Sequence, residues 1–175
     1  YGYNEELIGI HVALANSAAA YAKLRQAGHP VIGLIAGNAI SGAFLAHGLQ
    51  SSRLIALNNK EITVQAMSKE SAARVTKRSV AEIEAAAEKV PAIAYDINNY
   101  TKLGAIYHFL EDITDQAASE QNVSKVIEAI NEAIQDVRNT NDTMLTNRYT
   151  NETAKTFGRV ETNKVRAKMD EEWDA

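Results

Sequence analysis

A short apolar run, Val31–Ala36, most constrains the fold of this chain. It contains no charged or strongly polar residue, which is typical of a strand buried on both faces, as in parallel sheets with helices on either side. Before it, apolar residues at steps of three and four predict a helix from Asn4 to Ala27, which Gly28 and Pro30 end. A helix that leads into a doubly buried strand predicts α/β layering.

Further segments extend this α/β pattern. The predicted elements are, in order, a strand at Arg53–Asn58, a strand at Ile62–Ala66, an alanine-rich helix that a Ser79–Glu82 capping box starts and Pro91 ends, a helix at Ala94–Leu103, a strand at Tyr107–Leu110 and an amphipathic helix at Glu120–Arg138. The sequence therefore predicts a helix-rich α/β domain.

The last part of the chain, residues 139–175, is polar and mixed in charge, with widely spaced apolar side chains. It has too little apolar surface for a core of its own. We predict one α/β domain over residues 1–138 and a polar C-terminal tail over residues 139–175. The tail is expected to be a partner-binding arm, helical in part, that is mobile alone and ordered against a partner.

Composition excludes several functional classes. Hydrophobic residues at 46% and charged residues at 23% are typical of a soluble globular protein, and the net charge of −4 lacks the basic excess that nucleic-acid binding requires. No apolar run is long enough to span a membrane, and no signal sequence is visible, so a cytoplasmic location is expected. The chain has no cysteine, and its four histidines follow no ligand spacing, so no thiolate nucleophile and no metal site are predicted.

The best candidate for chemistry is the glycine-bounded loop Gly37–Gly42, which leads from the buried strand into an apolar helix. The first amides of a helix lack intrahelical partners and can face an anion. We therefore predict an oxyanion hole at the backbone amides of Gly42 and Ala43, with Gly37 and Ser41 as substrate contacts. The alternative is structural: Ser41 caps the helix and the glycines permit a tight turn.

Known catalytic patterns do not match this loop. The segment Ala-Ile-Ser-Gly-Ala at 39–43 lacks both glycines of the G-x-S-x-G nucleophile elbow, and neither a dinucleotide fingerprint nor a P-loop is present. Asp96 is predicted to cap a helix or to contact a partner. Hydrolysis by a serine nucleophile is therefore disfavoured.

Several stretches of the chain, in the same order, resemble the gamma subunit of malonate decarboxylase. They are Gly28–Leu34, Ser41–Gln50, Arg53–Leu57, Ala66–Glu70, Ala73–Thr76, Val90–Pro91 and Ala94–Ile97. The resemblance runs from the first residues to about Asp112. It implies a crotonase-like (ClpP/crotonase) α/β fold, a ββα spiral akin to the carboxyltransferase subunits of acyl-CoA carboxylases. Relative to that fold, the N-terminal layer is missing from this chain, and a C-terminal helical arm is added.

The resemblance also implies an activity. In this family a beta and a gamma subunit together decarboxylate a malonyl thioester on an acyl-carrier subunit, whose thiol belongs to a CoA-derived prosthetic group. The products are the acetyl thioester and CO2. The implied partners are thus the beta subunit, the acyl-carrier subunit and the malonyl thioester, with no cofactor in this chain and activity only in the complex. The family's strand-turn-helix glycine segment maps onto Ser41, Gly42 and Ala43.

Two alternatives stay open. The first is a carboxyltransferase subunit that moves the carboxyl group to biotin, in a biotin-dependent malonate decarboxylase or an acyl-CoA carboxylase. The second is a non-catalytic assembly subunit that only completes the pocket of its partner. Biotin dependence separates the first from direct decarboxylation, and substitution of the glycine segment tests the second.

Overall fold

The chain is described by a computed structural model, which places residues 2–114, 119–148 and 150–173. The helices of these residues are α1 (Tyr3–Leu7), α2 (Ile10–Gln26), α3 (Ser41–Ala46), α4 (Lys69–Thr76), α5 (Val80–Lys89), α6 (Ile97–Thr101), α7 (Glu120–Thr140), α8 (Glu152–Thr156) and α9 (Glu161–Glu172). The strands are β1 (Ile32–Ile35), β2 (Ala39–Ile40), β3 (Arg53–Leu57), β4 (Val64–Gln65) and β5 (His108–Leu110). Single 3-10 turns lie at 48–50, 91–93 and 146–148.

The core is built on a parallel sheet in the order β1-β3-β5. Ile32 lies opposite Arg53, and Ile55 lies opposite His108. Every residue of β3 is buried, with Ile55 and Ala56 at 0% exposure. A second, two-stranded parallel sheet pairs β2 with β4. Parallel neighbours need long crossover connections, which the helices between the strands supply.

The predicted α/β layering is confirmed, with one difference at β1. Leu34 is 40% exposed, so this strand is not buried on both faces as the apolar run predicts. The reason is its place in the sheet. Within the described residues, β1 pairs only with β3 and is an edge strand, so its outer side lacks a cover.

The predicted N-terminal helix is two helices. Gly9 adopts a left-handed conformation, with φ of 84°, and separates α1 from α2. The predicted end is confirmed: Gly28 is also left-handed, and the amide of His29 donates to the carbonyl of Leu24 at 3.0 Å. This is the pattern of a glycine-terminated helix that satisfies its last carbonyls.

The predicted helix caps are confirmed. The Ser79 amide donates to Glu82 Oε2 at 2.7 Å, and the Glu82 amide donates to Ser79 Oγ at 3.3 Å, which is the reciprocal capping box at the start of α5. Asp96 caps α6, because its Oδ1 accepts from the amide of Asn99 at 2.8 Å. The capping residues therefore mark these two helix starts, although α6 begins at Ile97 and not at Ala94 as predicted.

A buried arginine joins the sheet to α7. Arg53 in β3 is 3% exposed, and its Nε donates to Asp136 Oδ2 at 2.6 Å. Its guanidinium lies 5.6 Å from the ring centre of Tyr107, and its Nη1 donates to the carbonyl of Asp142 at 3.3 Å. A charge in this setting is tolerated only because it is paired and hydrogen-bonded.

Part of the C-terminal region contacts this core. Thr143 Oγ1 donates to the carbonyl of Arg25 at 2.7 Å, and Arg148 donates to the carbonyls of Leu49 and Ser51, both at 2.6 Å. Helix α9, in contrast, has no buried residue. The division of the chain at residue 138 and the partner-binding role of the tail stay predictions. Within the described ranges, no helix combines the length and the apolarity needed to cross a membrane.

Removal of the Asp136 carboxylate is expected to destabilise the fold. In Asp136→Ala the buried Arg53 guanidinium loses its closest anion, and the free energy of unfolding should fall by about 2 kcal/mol, below the usual cost of a broken buried pair because Asp136 is itself 30% exposed. Urea unfolding measures the change. Glu128→Ala, on the exposed side of the same helix, is the matched control and should shift the midpoint little. Equal midpoints for the two variants would contradict this assignment.

Candidate functional site

The glycine segment forms a direct strand-to-helix turn. Strand β2 ends at Ile40, and α3 begins at the next residue, Ser41. Ile40 is the N-cap residue, and among the described residues no side chain accepts a hydrogen bond from the first amides of α3. Since the first four amides of a helix have no acceptor within it, the amides of Gly42 and Ala43 are available to an outside acceptor.

Ser41 makes this turn with a left-handed backbone, at φ of 62°. A non-glycine residue in this region is uncommon, and the strain is of the order of 1 kcal/mol. The alternative in which Ser41 caps the helix is wrong, because Ser41 is the first residue of α3 and gives it no side-chain cap. Neither Gly37 nor Gly42 has a positive φ, so the conformational freedom of glycine is not what the turn uses.

A cleft of about 530 Å³ lies beside the turn. Its walls come from Gly33–Ile40, from Ala43, Phe44, His47 and Gly48, and from Leu54. Gly37 and Ala43 therefore meet on one cleft, whereas Ser41 and Gly42 adjoin it in sequence without lining it. A Cβ atom at Gly37 would meet no atom of the described residues within 4 Å, so this side of the cleft has room for a ligand. Most of the wall is apolar, which strengthens any electrostatic interaction made there.

Asn38 is a cleft residue that the sequence reasoning missed. Its Oδ1 accepts from the Thr63 amide at 3.0 Å and from Thr63 Oγ1 at 3.1 Å. The Ala39 amide in turn donates to the carbonyl of Thr63 at 2.9 Å. These bonds fix the loop to the segment before β4. Its position directly after Gly37, between a buried strand and a helix, is the signal that points to it.

Aromatic packing holds α3 in place. Phe44 is 9% exposed, and its ring meets the ring of Tyr100 edge-on with centroids 5.9 Å apart. A Cβ atom at Gly48 would overlap the Phe44 ring, so only glycine fits there without a shift. His47, the residue directly after α3, packs edge-on against the ring of Tyr21 with centroids 5.8 Å apart. Within the described residues, no three His, Asp or Glu side chains lie close enough to hold a metal ion.

Comparison with known protein families shows which family the chain belongs to. Residues 1–173 match the family described as malonate decarboxylase gamma subunit, MdcE. The chain belongs to this family. The match covers the strand-turn-helix segment, the sheet and the C-terminal helices, and the resemblance seen in the sequence is confirmed.

Solved members of the malonate decarboxylase family have the same fold. The chain is 40% identical to a chain of the Pseudomonas malonate decarboxylase MdcD-MdcE hetero-dimer, with a TM-score of 0.84 over 99% of this chain and 62% of that one. It is 43% identical to a chain of the Pseudomonas hetero-tetramer in complex with coenzyme A, with a TM-score of 0.82 over 95% of this chain and 63% of that one. The chain thus spans less than two thirds of these relatives.

A more distant structure agrees on the fold alone. Transcarboxylase 12S is 20% identical, with a TM-score of 0.50 over 74% of this chain and 23% of that one. The expected crotonase-like fold, of the kind found in carboxyltransferases, is confirmed, with a helical C-terminal region.

A curated relative comes from Malonomonas rubra. It is the malonyl-S-ACP:biotin-protein carboxyltransferase MADD, 33% identical over 113 residues, which is 64% of this chain and 39% of the relative. The malonate decarboxylase family and this carboxyltransferase are therefore both relatives of the chain. The roles of Gly37, Ser41, Gly42 and Ala43 are tested by none of these likenesses and stay predictions.

Gly48→Ala is expected to displace α3. The added methyl group would overlap a buried ring, and overpacking of this kind typically costs about 1–3 kcal/mol. Thermal unfolding measures the loss, and Gly37→Ala, where a Cβ atom has open space, is the matched control. If the two variants unfold at the same temperature, Phe44 and Gly48 do not fix α3 as described.

Proposed function

We propose that this chain acts with a beta subunit to decarboxylate a malonyl thioester carried on an acyl-carrier subunit. The products are the acetyl thioester and CO2. The observation that supports this most directly is the uncapped start of α3 beside an apolar cleft, in a chain of the malonate decarboxylase gamma-subunit family. The enzyme is then a carboxy-lyase in which this chain contributes one part of the site.

The chemistry requires a change in where negative charge lies. Loss of CO2 moves the electron pair of the broken C–C bond into the thioester, so charge leaves the carboxylate and develops on an enolate oxygen. Uptake of a proton at the enolate carbon then gives the acetyl thioester. Only interactions stronger in the transition state than in the ground state accelerate this step. Amides aimed at the developing oxyanion meet that requirement. The amides of Gly42 and Ala43 fill this role, with Gly37 and Ser41 next to the substrate.

The surroundings of the cleft support a shared site. Apolar side chains of the cleft and of α3 are left in contact with solvent: Leu34 and Ile40 of the cleft are 40% and 46% exposed, and Leu45 of α3 is 45% exposed. An oxyanion site works best when water is excluded. A second subunit that covers these side chains would close the cleft, and the related Pseudomonas structures are a hetero-dimer and hetero-tetramers.

Transfer of the carboxyl group to biotin is the second candidate. The Malonomonas rubra relative is named for that reaction, and it favours this alternative at 33% identity. The two reactions share enolate chemistry, so the same amides would serve both. Addition of avidin to the purified complex separates them: loss of turnover establishes the biotin reaction, and unchanged turnover establishes direct decarboxylation.

Gly42→Val tests the oxyanion assignment. A branched side chain at the start of α3 should crowd the approach to the amides and lower decarboxylation by about 100-fold or more, the usual effect of a lost oxyanion donor. Complex formation should be unchanged. Ala85→Val, on the exposed face of α5, places a valine side chain elsewhere on the surface and should retain full activity. Near-normal turnover by a well-folded Gly42→Val complex would instead favour the assembly-subunit alternative.

The chain by itself is expected to release no CO2 from a malonyl thioester. Its cleft offers backbone amides with an open, wet edge, and it depends on a partner for the remaining wall. The measurement compares CO2 release by the chain alone and after co-expression with a beta subunit. Activity of the isolated chain at a rate close to that of the complex would refute the shared site.

A further inference from the structure

A second cavity, of about 520 Å³, lies away from the β2–α3 turn. One part of its lining comes from the segment after α5, at Val90–Ala92, and another part comes from Phe157–Arg159, Glu161 and Thr162 of the C-terminal region. Val90, Pro91 and Phe157 make these walls largely apolar. Neither Gly37 nor any residue of α3 lines it. It therefore belongs to no step of the proposed reaction.

A fixed positive charge stands in this cavity. Arg159 lines it and donates from Nη1 to the carbonyl of Leu103 at 2.6 Å. That acceptor is neutral, so the bond holds the guanidinium in place and leaves its charge intact. Within the described residues Arg159 forms no ion pair. A second guanidinium, of Arg148, also lines the cavity and is held by the carbonyls of Leu49 and Ser51.

The phenol of Tyr100 lines the same cavity. Burial raises the pKa of Tyr100, and the charges of Arg148 and Arg159 act against that rise. Both guanidiniums and the phenol line the same cavity. The phenol hydroxyl is a hydrogen-bond donor at neutral pH.

The remaining charges do not cancel this arrangement. Among the described residues that line the cavity the acid is Glu161, and its carboxylate is 76% exposed and paired with Lys164 at 2.7 Å. At the rim, the Lys102 ammonium lies 5.3 Å from the ring centre of Phe157, which adds another cation. The cavity thus combines a positive end with apolar walls.

We propose that this cavity binds a small organic anion, with its carboxylate or phosphate held by Arg159 and the Tyr100 phenol and its apolar body against Val90, Pro91 and Phe157. Guanidinium groups bind both kinds of oxyanion through charge-assisted hydrogen bonds. The apolar walls select an anion that has a hydrocarbon part over a bare inorganic ion. The site is independent of the decarboxylation proposed above.

Calorimetric titration of the purified full-length complex tests the proposal. The probes are hexanoate, hexyl phosphate, the neutral hexanamide and inorganic phosphate. Binding of hexanoate or hexyl phosphate at least tenfold tighter than hexanamide supports the site, and the tighter of the two identifies the anion. Equal affinity for hexanoate and hexanamide would overturn the role of charge. Inorganic phosphate that binds as tightly as hexyl phosphate would overturn the role of the apolar walls.

Substitutions locate the binding. Arg159→Gln keeps a donor for the Leu103 carbonyl while it removes the charge, and it should weaken binding of the tighter anion at least tenfold. Tyr100→Phe keeps the ring, removes only the hydroxyl group and should weaken binding severalfold. This variant should fold even if Arg159→Gln does not. Arg138→Gln, at an exposed arginine of α7, should leave the affinity unchanged. Unaltered binding in both cavity variants would overturn the assignment.

Discussion

The burial of β3 between two parallel neighbours is the constraint on which the rest of the structure depends. Each of its five residues is buried, and parallel pairing on both sides requires that the chain cross over between strands. The crossover from β1 to β3 contains α3, and the parallel pairing brings the carboxyl ends of β1 and β3 to the same edge of the sheet. The ion pair between Arg53 of β3 and Asp136 of α7 joins that helix to the same strand. The position of the cleft follows from this order of strands.

The two cavities share an aromatic wall. Phe44 lines the cleft beside the β2–α3 turn, Tyr100 lines the second cavity, and their rings meet edge-on at 5.9 Å. Because protein interiors are close-packed, a shift of either ring requires the other ring to move as well. Gly48 lies so close to the Phe44 ring that even an added Cβ atom would overlap it. The packing that holds the start of α3 is thus the packing that shapes the second cavity.

The sequence predicts what local signals determine. The Ser79–Glu82 box and the Asp96 cap need only neighbouring residues, and both are confirmed. The exposure of Leu34 was not predictable from its apolar run, because it depends on which strand lies at the edge of the sheet. The same holds for the left-handed Ser41 and for the second cavity, whose walls come from segments far apart in the chain. Pairings over long sequence distances leave no periodic pattern to read.

The strain at Ser41 connects the fold to the candidate chemistry. A residue in the left-handed region persists only where its surroundings over-determine it, and here β2 is paired with β4 on one side while the buried Phe44 holds α3 on the other. The chain therefore passes from strand to helix within one residue, and the first helical amides emerge without a capping side chain. A longer turn would leave room for a serine or aspartate to accept from these amides. The strained turn thus leaves the first amides of α3 without a capping acceptor. The proposed oxyanion site requires backbone amides that are open in this way.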